Sequence, residues 1–346
     1  MSKIVSDPRL PVVKDEKIRP LTQRLYELFR QYAIAHNKSY MWDTEGTAAP
    51  TTGTWSISQM CKNTAPSAAG IIGWVCTTSG TPGTWYEIVS GGKRELLTSN
   101  RTYYVRTDGS DSNNGLANTS GGAFLTIQKA IDVVCSLDMS IYQVTIQVAD
   151  GTYTTPVVLK QYIGSLEPLI IGNTTTPSNC IISTTSANCI DCNLSGVSWN
   201  VRGFKLTTTT SGSAIYARNG SRIYIQKIDF GSVAGTYGTH ILSDRGGVIV
   251  AVGNYSITGG GFAHAWSSYC GGIVITSRTI TITGTPNFTK SFLFSRFGYF
   301  EGDTTTYSGS ATGKKYDISM NAVAFTNGYT LPGDVAGTTA TGAQYS

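Results

Sequence analysis

Charge is what this chain has least of. Asp, Glu, Lys and Arg make up 14% of its 346 residues. That is too few to clothe many solvated helices, so a helical architecture is excluded for the bulk of the chain. Long apolar runs are missing too. No segment approaches the roughly 20 apolar residues of a membrane-spanning helix, so no membrane insertion is expected. The opening MSKIVSDPRLPVVKDEK lacks the apolar stretch of a secretory leader, and synthesis in a cytoplasm is expected. The EF-hand pattern of acids at alternate positions and a late Glu is also absent.

Positive charge is scarce outside one region. The formal net charge is +5, and residues 1–40 hold eight Lys/Arg against four acids. The rest of the chain is nearly neutral, so it lacks the concentrated basic face that nucleic-acid binding requires. The basic arm suits either an acidic partner protein or a solvated tail. Seven cysteines leave at least one unpaired. Cys61 and Cys76 share a short segment and form a possible disulfide if the protein works outside a cell. Cys189 and Cys192 make a C-x-x-C. No second pair lies at zinc spacing, nor does the motif open a helix that would activate a redox pair. No metal and no cofactor are expected.

Glycine is abundant, with 39 residues, as are Tyr (19), Thr and Ser. Such a composition favours short strands joined by small polar turns. The one clear helix signal near the start is RPLTQRLYELFRQYAIAHN. Leu21, Leu25, Leu28, Tyr32 and Ala35 follow a 4-3-4-3 spacing, with Pro20 suited to the first turn. That stripe is buried around a symmetry axis, against another protein, or on the chain itself. Residues 42–100 follow as a separate module and linker. Its strands WVCT and TWYEI, joined by SGTPG, read as a β-hairpin. Its four tryptophans form a small core or a stacking platform for sugar.

From about residue 142 the chain repeats itself. GGIVITSRTITITG (271–284) matches GGVIVAVGNYSITG (246–259) at an offset of 25. Ile273, Ile275, Ile280 and Ile282 then align with Val248, Val250, Tyr255 and Ile257. Ile223, Ile225, Ile228 and Phe230 carry the same inward phase one step back. Trp199, Val201, Phe204 and Leu206 carry it a further 24 positions back. Strands recurring every 20–30 residues without helices predict a parallel β-solenoid, because a single coil buries its inner face only by stacking. Six to eight coils are expected over 142–310, closed by residues 311–346.

An exposed solenoid end must be covered. Residues 101–141 read as the entry to the coils. Phe124, Ile127, Ala130, Ile131 and Val134 fall on one helical face, which predicts a capping helix. The Asp/Asn/Gly cluster before it (Asp108, Asp111, Asn113, Asn114, Gly109, Gly115) reads as turn chemistry.

These residues carry a resemblance. YYVRTDGSDSNNGLANTSGGAFLTIQKAID, followed by VADGTYT, resembles the N-terminal entry of pectin-lyase-like right-handed β-helices in bacteriophage tailspikes and tail fibres. PLTQRLYELFRQYA and GWVCTTSGTPGTWYE resemble the N-terminal helix and small β-module of such virion proteins. The closing GKKYDISMNAVAFTNGYTLPGDVAGTTATGAQY resembles the end of short phage appendages. The resemblance implies a mostly β, right-handed parallel β-helix and a homotrimer. It also implies a 1–41 arm and helix fixed to other virion proteins, and a place in the tail or neck of the virion. A host surface glycan is the expected outer ligand.

Many tailspikes cleave polysaccharide with paired carboxylates. The acids read for such a pair are Asp191, Asp229, Asp244, Glu301, Asp303 and Asp317, of which Asp229, Asp244, Glu301 and Asp303 make the best set; the alternative, which the composition favours, is that they are solubilising surface charges. Asp229, between inward Ile228 and Phe230, should point outward. A lyase would draw on Arg218, Arg222, Arg245 or Lys227 with His240 or His264, and no spacing singles these out. Tyr299, Phe300 and Tyr307 are candidates for stacking on sugar, or for closing the last coil. A structural or adhesive appendage and a polysaccharide-degrading spike are the two functions to be separated.

Overall fold

The structure is a computed structural model. It describes residues 19–38, 42–66, 70–89 and 94–346. Within the first helix it describes the side chains of residues 23–32. The expected N-terminal tail and the Leu21 and Ala35 side chains fall outside the described residues. The chain divides into two compact units, Met1–Lys93 and Arg94–Ser346.

The first unit opens with helix α1 (Arg19–Lys38). Leu25, Leu28, Phe29 and Tyr32 are exposed on it. Four strands follow in a mixed sheet: Thr44–Gly46, Met60–Asn63, Ile71–Thr78 and Thr84–Val89. The last two form the expected antiparallel hairpin, with Trp74 opposite Glu87 and Cys76 opposite Trp85. Only part of the expected tryptophan core forms. Trp74 is buried, while Trp55 and Trp85 meet edge to face at 5.2 Å on a partly exposed surface. Cys61 and Cys76 are both buried free thiols. Their register sets them diagonally: Cys61 lies opposite Trp74, not opposite Cys76. The expected disulfide is therefore not formed.

The second unit is a parallel β-solenoid of about eight turns, built from three sheets. The first sheet begins with Arg101–Val105 and Val144–Val148 and ends with Gln344–Tyr345. The second runs from Gly151–Tyr153 to Thr306–Ser308, and the third from Val157–Leu159 to Thr338–Thr339. Each strand pairs with its counterpart one turn later, so backbone donors and acceptors are used between coils. Alternation does the rest. Trp199, Val201, Ile223, Ile225, Phe204, Leu206 and Phe230 point into a continuous apolar core, each contributing roughly 1.5–3 kcal/mol of burial. Parallel pairing goes on past residue 310, through Tyr316–Ser319 and Val323–Phe325.

The repeat is uneven. Trp199 pairs with Ile223, 24 positions on, as the sequence predicts. The offset of 25 holds in the second sheet, where Tyr255 pairs with Ile280 and Ile257 with Ile282. It fails by one residue in the first sheet, where Ile249, not Val248, pairs with Ile273. Ile249 and Ala251 therefore face the core, and Val248 and Val250 face outward. The corner before Thr279 takes up the extra residue, and a one-residue slip exchanges the two faces of a strand.

The N-terminal end is covered as expected by α2 (Ile127–Val134), with Ile127, Ala130, Ile131 and Val134 buried against the first strands of the first and third sheets. Phe124 is also buried, but it precedes the helix. It forms a β-bridge with Val105 and stacks on Tyr103 at 5.9 Å. The polar cluster supplies turn chemistry. Asp111 accepts from the backbone N–H groups of Leu125 and Thr126 and from the Thr126 hydroxyl. Thr126 in turn caps α2 by accepting from the Lys129 N–H. Asn113 donates to the carbonyls of Ser120 and Ala123. Among these loop residues Gly115 alone takes a positive φ (+76°), and the Phe124 ring fills the space a side chain would need.

Candidate functional site

The outer face of the third sheet carries a run of aromatic and charged side chains. Strand register builds it. Tyr216 pairs with Leu242, Leu242 with Trp266, Trp266 with Phe294, and Phe294 with Asp317. Neighbouring strands lie about 4.8 Å apart, so this is a stripe running up the solenoid. Trp266 meets Phe294 at 5.0 Å and Phe262 at 5.4 Å, and Tyr237 meets Phe262 at 5.5 Å. Tyr237 is 64% exposed and lies on the loop that enters this sheet.

Beside Trp266 opens an apolar groove lined by Gly212, Gly235, Tyr237 and Leu242, with Ser211 and Ser213 at its edge. The Trp266 indole N–H is shielded from solvent and has no acceptor among the described residues, an unmet demand inside an otherwise apolar surface.

A second, charged stripe runs alongside. Arg218 pairs in register with Asp244, and Ser268 with Arg296. Asp244 accepts from the Tyr216 hydroxyl at 3.1 Å and from Ser268 at 3.3 Å, and lies 3.6 Å from Arg245. Burial, then the Asp244 carboxylate, push the Tyr216 phenol up from its ordinary value. Arg218 binds Asp191 at 3.2 Å and lies over the Tyr216 ring. Lys290 and Arg296 flank the Phe294 ring at 5.2 and 4.9 Å, and Lys290 binds Asp317 at 2.6 Å. Phe294 is covered by these neighbours, so the accessible aromatic faces are those of Tyr237, Phe262 and Trp266; bordered by donors and acceptors of both signs, they form an arrangement able to hold a sugar ring by stacking and hydrogen bonding.

The acids singled out from the sequence are dispersed. Asp229 does leave the core as expected, but on the second sheet, where it is covered by its neighbours. It accepts from Thr258 at 2.7 Å and from Ser256, and pairs with Lys205 at 3.6 Å. Asp244 belongs to the third sheet, and Glu301 to the first. Asp303 follows Glu301 in a corner and accepts from Asn327 at 3.0 Å. The four thus divide among three sheets and a corner. The sugar-stacking candidates divide too. Tyr299 is partly exposed on the first sheet. Phe300 is a core residue, and Tyr307 packs on the core against Phe292. Among the described residues no group of three or more His, Cys, Asp or Glu side chains is placed to hold a metal.

Trp266, Tyr237, Phe262 and Phe294 were not signalled by the repeat. In GFAHAWSS Ala263, Ala265 and Ser267 are buried and Phe262 and Trp266 face out, the reverse of what alternation ordinarily implies, while His264 between them is turned inward.

Comparison with known proteins decides nothing further. No family model, no curated protein and no solved structure matches this chain.

Proposed function

We propose that this protein is a structural and adhesive appendage of a bacteriophage virion, assembled as a homotrimer, held by its N-terminal region and touching the host surface with its solenoid. The observation that carries the adhesive part is the outward stripe Leu242–Trp266–Phe294, with Trp266 and the exposed Tyr237 lining an apolar groove on the third sheet. A surface glycan is its ligand. The stripe repeats with the coil spacing, which suits an extended polymer better than a single small molecule. The exposed apolar positions of α1 supply a surface for self-association. The reading is non-catalytic because glycoside hydrolysis needs two carboxylates facing one bond across roughly 5–9 Å: Asp229, Asp244, Glu301 and Asp303 stand on different sheets or in a corner, and the acids that do share the third sheet, Asp191, Asp244 and Asp317, are each engaged with another side chain. The phage assignment itself rests on the sequence resemblance.

The test is incubation of the purified protein with capsular and cell-wall polysaccharides of candidate host bacteria. Binding without new reducing ends is expected. Trp266→Ala should weaken it about fivefold or more, since losing one stacking platform removes about 1–3 kcal/mol, while the circular dichroism spectrum stays unchanged. Release of fragments, or undiminished binding by the variant, overturns the reading.

A further inference from the structure

Two of the three histidines sit deep in the solenoid. His240 and His264 are 0% exposed, at the corner where the second sheet gives way to the third. The strands bend there, so the successive residues His240 and Ile241 are both buried, as are His264 and Ala265. The two rings stand one coil apart and meet at 3.0 Å through their Nδ1 atoms. His240 Nε2 is 2.9 Å from the Gly231 carbonyl, and His264 Nε2 is 2.8 Å from the Tyr255 hydroxyl.

The direction of every bond follows from one fact. A carbonyl only accepts, so His240 must carry its proton on Nε2. In the neutral ring its Nδ1 is then an acceptor. His264 must therefore carry its proton on Nδ1, leaving Nε2 to accept from Tyr255. The chain reads Tyr255 O–H to His264 to His240 to Gly231 O, with each ring nitrogen and the phenol hydrogen used once. Opposite tautomers in the two histidines are required.

The surroundings offer nothing to balance a charge. From strand Asp229–Phe230, the Phe230 ring stacks on His240 at 5.2 Å, while Asp229 is turned outward to Lys205. From Tyr255–Ile257 comes Tyr255 itself. From Asn287–Arg296 come Phe288 and Phe292, the latter 4.7 Å from His264, while Lys290 faces outward to Asp317. Tyr307 lies beyond Phe292. The titratable groups facing the pair are thus two tyrosines, and no carboxylate is among them.

A proton added to the pair enters at His264 Nε2, the nitrogen that had accepted from Tyr255. His264 then donates from both nitrogens, to His240 Nδ1 and to the Tyr255 oxygen. Passing the bridging proton to His240 Nδ1 moves the charge to His240 and leaves the rest of the chain as it is. The Tyr255 hydroxyl hydrogen then has no acceptor in the chain, and a cation is left among aromatic rings, which is costly. We propose that this chain is a proton-operated latch: it holds the coils spanning residues 229–268 closed at neutral pH and releases them on acidification. The latch rests on the buried chain alone and stands whether or not the groove binds glycan.

The direction of the pH effect follows. Burial drives both imidazoles below their ordinary value, His240 down to about 3. An opened histidine protonates near 6.5. The closed state is fully favoured above that pH and loses ground as pH falls from there toward about 3. For one histidine the ratio of open to closed rises about tenfold per pH unit, and for both up to about a hundredfold.

Two measurements on the full-length protein test this. Nitrogen-15 spectra of histidine-labelled protein at pH 7.5 should show His240 protonated on Nε2 and His264 on Nδ1. Hydrogen exchange, corrected for its intrinsic pH dependence, should rise at least tenfold between pH 7.5 and 4.5 for amides of Thr239–Asp244 and Gly261–Ser268. Amides of Val144–Val148 should change much less. A His240→Gln/His264→Gln variant, whose amides donate and accept but do not titrate, should lose that local rise. Matching tautomers, titration of either histidine near 6.5 with the strands still protected, or uniform exchange along the solenoid would sink the proposal. Should the variant not fold, the spectra and exchange of the unaltered protein decide.

Discussion

Asp111 shows how much one side chain can carry. Its two oxygens take three donors, two of them backbone N–H groups at the start of α2. None of those donors has another partner in a regular element, because Leu125 and Thr126 stand just ahead of the helix. Removing the carboxylate leaves them unmet and unfixes Thr126, the N-cap. Asp111→Ala should cost about 1–3 kcal/mol, while Asp108→Ala, which removes only an exposed ion pair with Arg106, should cost clearly less. Urea denaturation of the two variants side by side measures the difference. Equal effects would mean that the entry loop does not fix the cap. The residue type and the turn role of Asp111 were legible in the sequence; its link to Thr126, 15 positions on, was not, since nothing local ties the two.

The strand is the unit in which the sequence was most nearly read. Its inward phase is a run of Ile, Val, Phe and Leu, and where such runs stand one coil apart, as with Trp199 and Ile223, the pairing follows from the pattern. Corners carry no such pattern, so an added residue between two strands goes unseen. That is why GGVIVA was aligned one residue out of step with GGIVIT. Both phases of VIVA are aliphatic, so hydrophobicity could not choose between them. Phase was no better a guide to Phe262 and Trp266, whose inward neighbours are Ala and Ser. A pair of truncations distinguishes the two registers. Ile249 is buried and Val250 partly exposed. Ile249→Ala should cost about 2–5 kcal/mol and Val250→Ala about 0.5 kcal/mol, read as shifts in the denaturation midpoint. The reverse order would restore the offset of 25.

For the whole molecule, two ways of burying apolar surface were legible in the sequence. The solenoid buries its inner face by stacking coils, which a lone chain completes. Helix α1 does not complete its own burial: Leu25 is 49% and Leu28 56% exposed. An apolar stripe at heptad spacing over some two turns of repeat is too short to pair stably by itself in water. It gains from neighbours already held close, which raises the effective concentration of each helix for the others. On the homotrimer proposal, copies joined along their length supply that proximity and the helices add to it. Leu25→Glu/Leu28→Glu should therefore lower the mass measured by light scattering, at micromolar protein, from three chains toward one. The solenoid's far-ultraviolet dichroism should not change, because the substituted residues belong to the other compact unit. A mass that stays at three chains would place the assembly surface elsewhere, with the outer faces of the sheets next to be tried. A mass of one chain before any substitution would remove the trimer altogether and leave the α1 stripe for a different protein to cover.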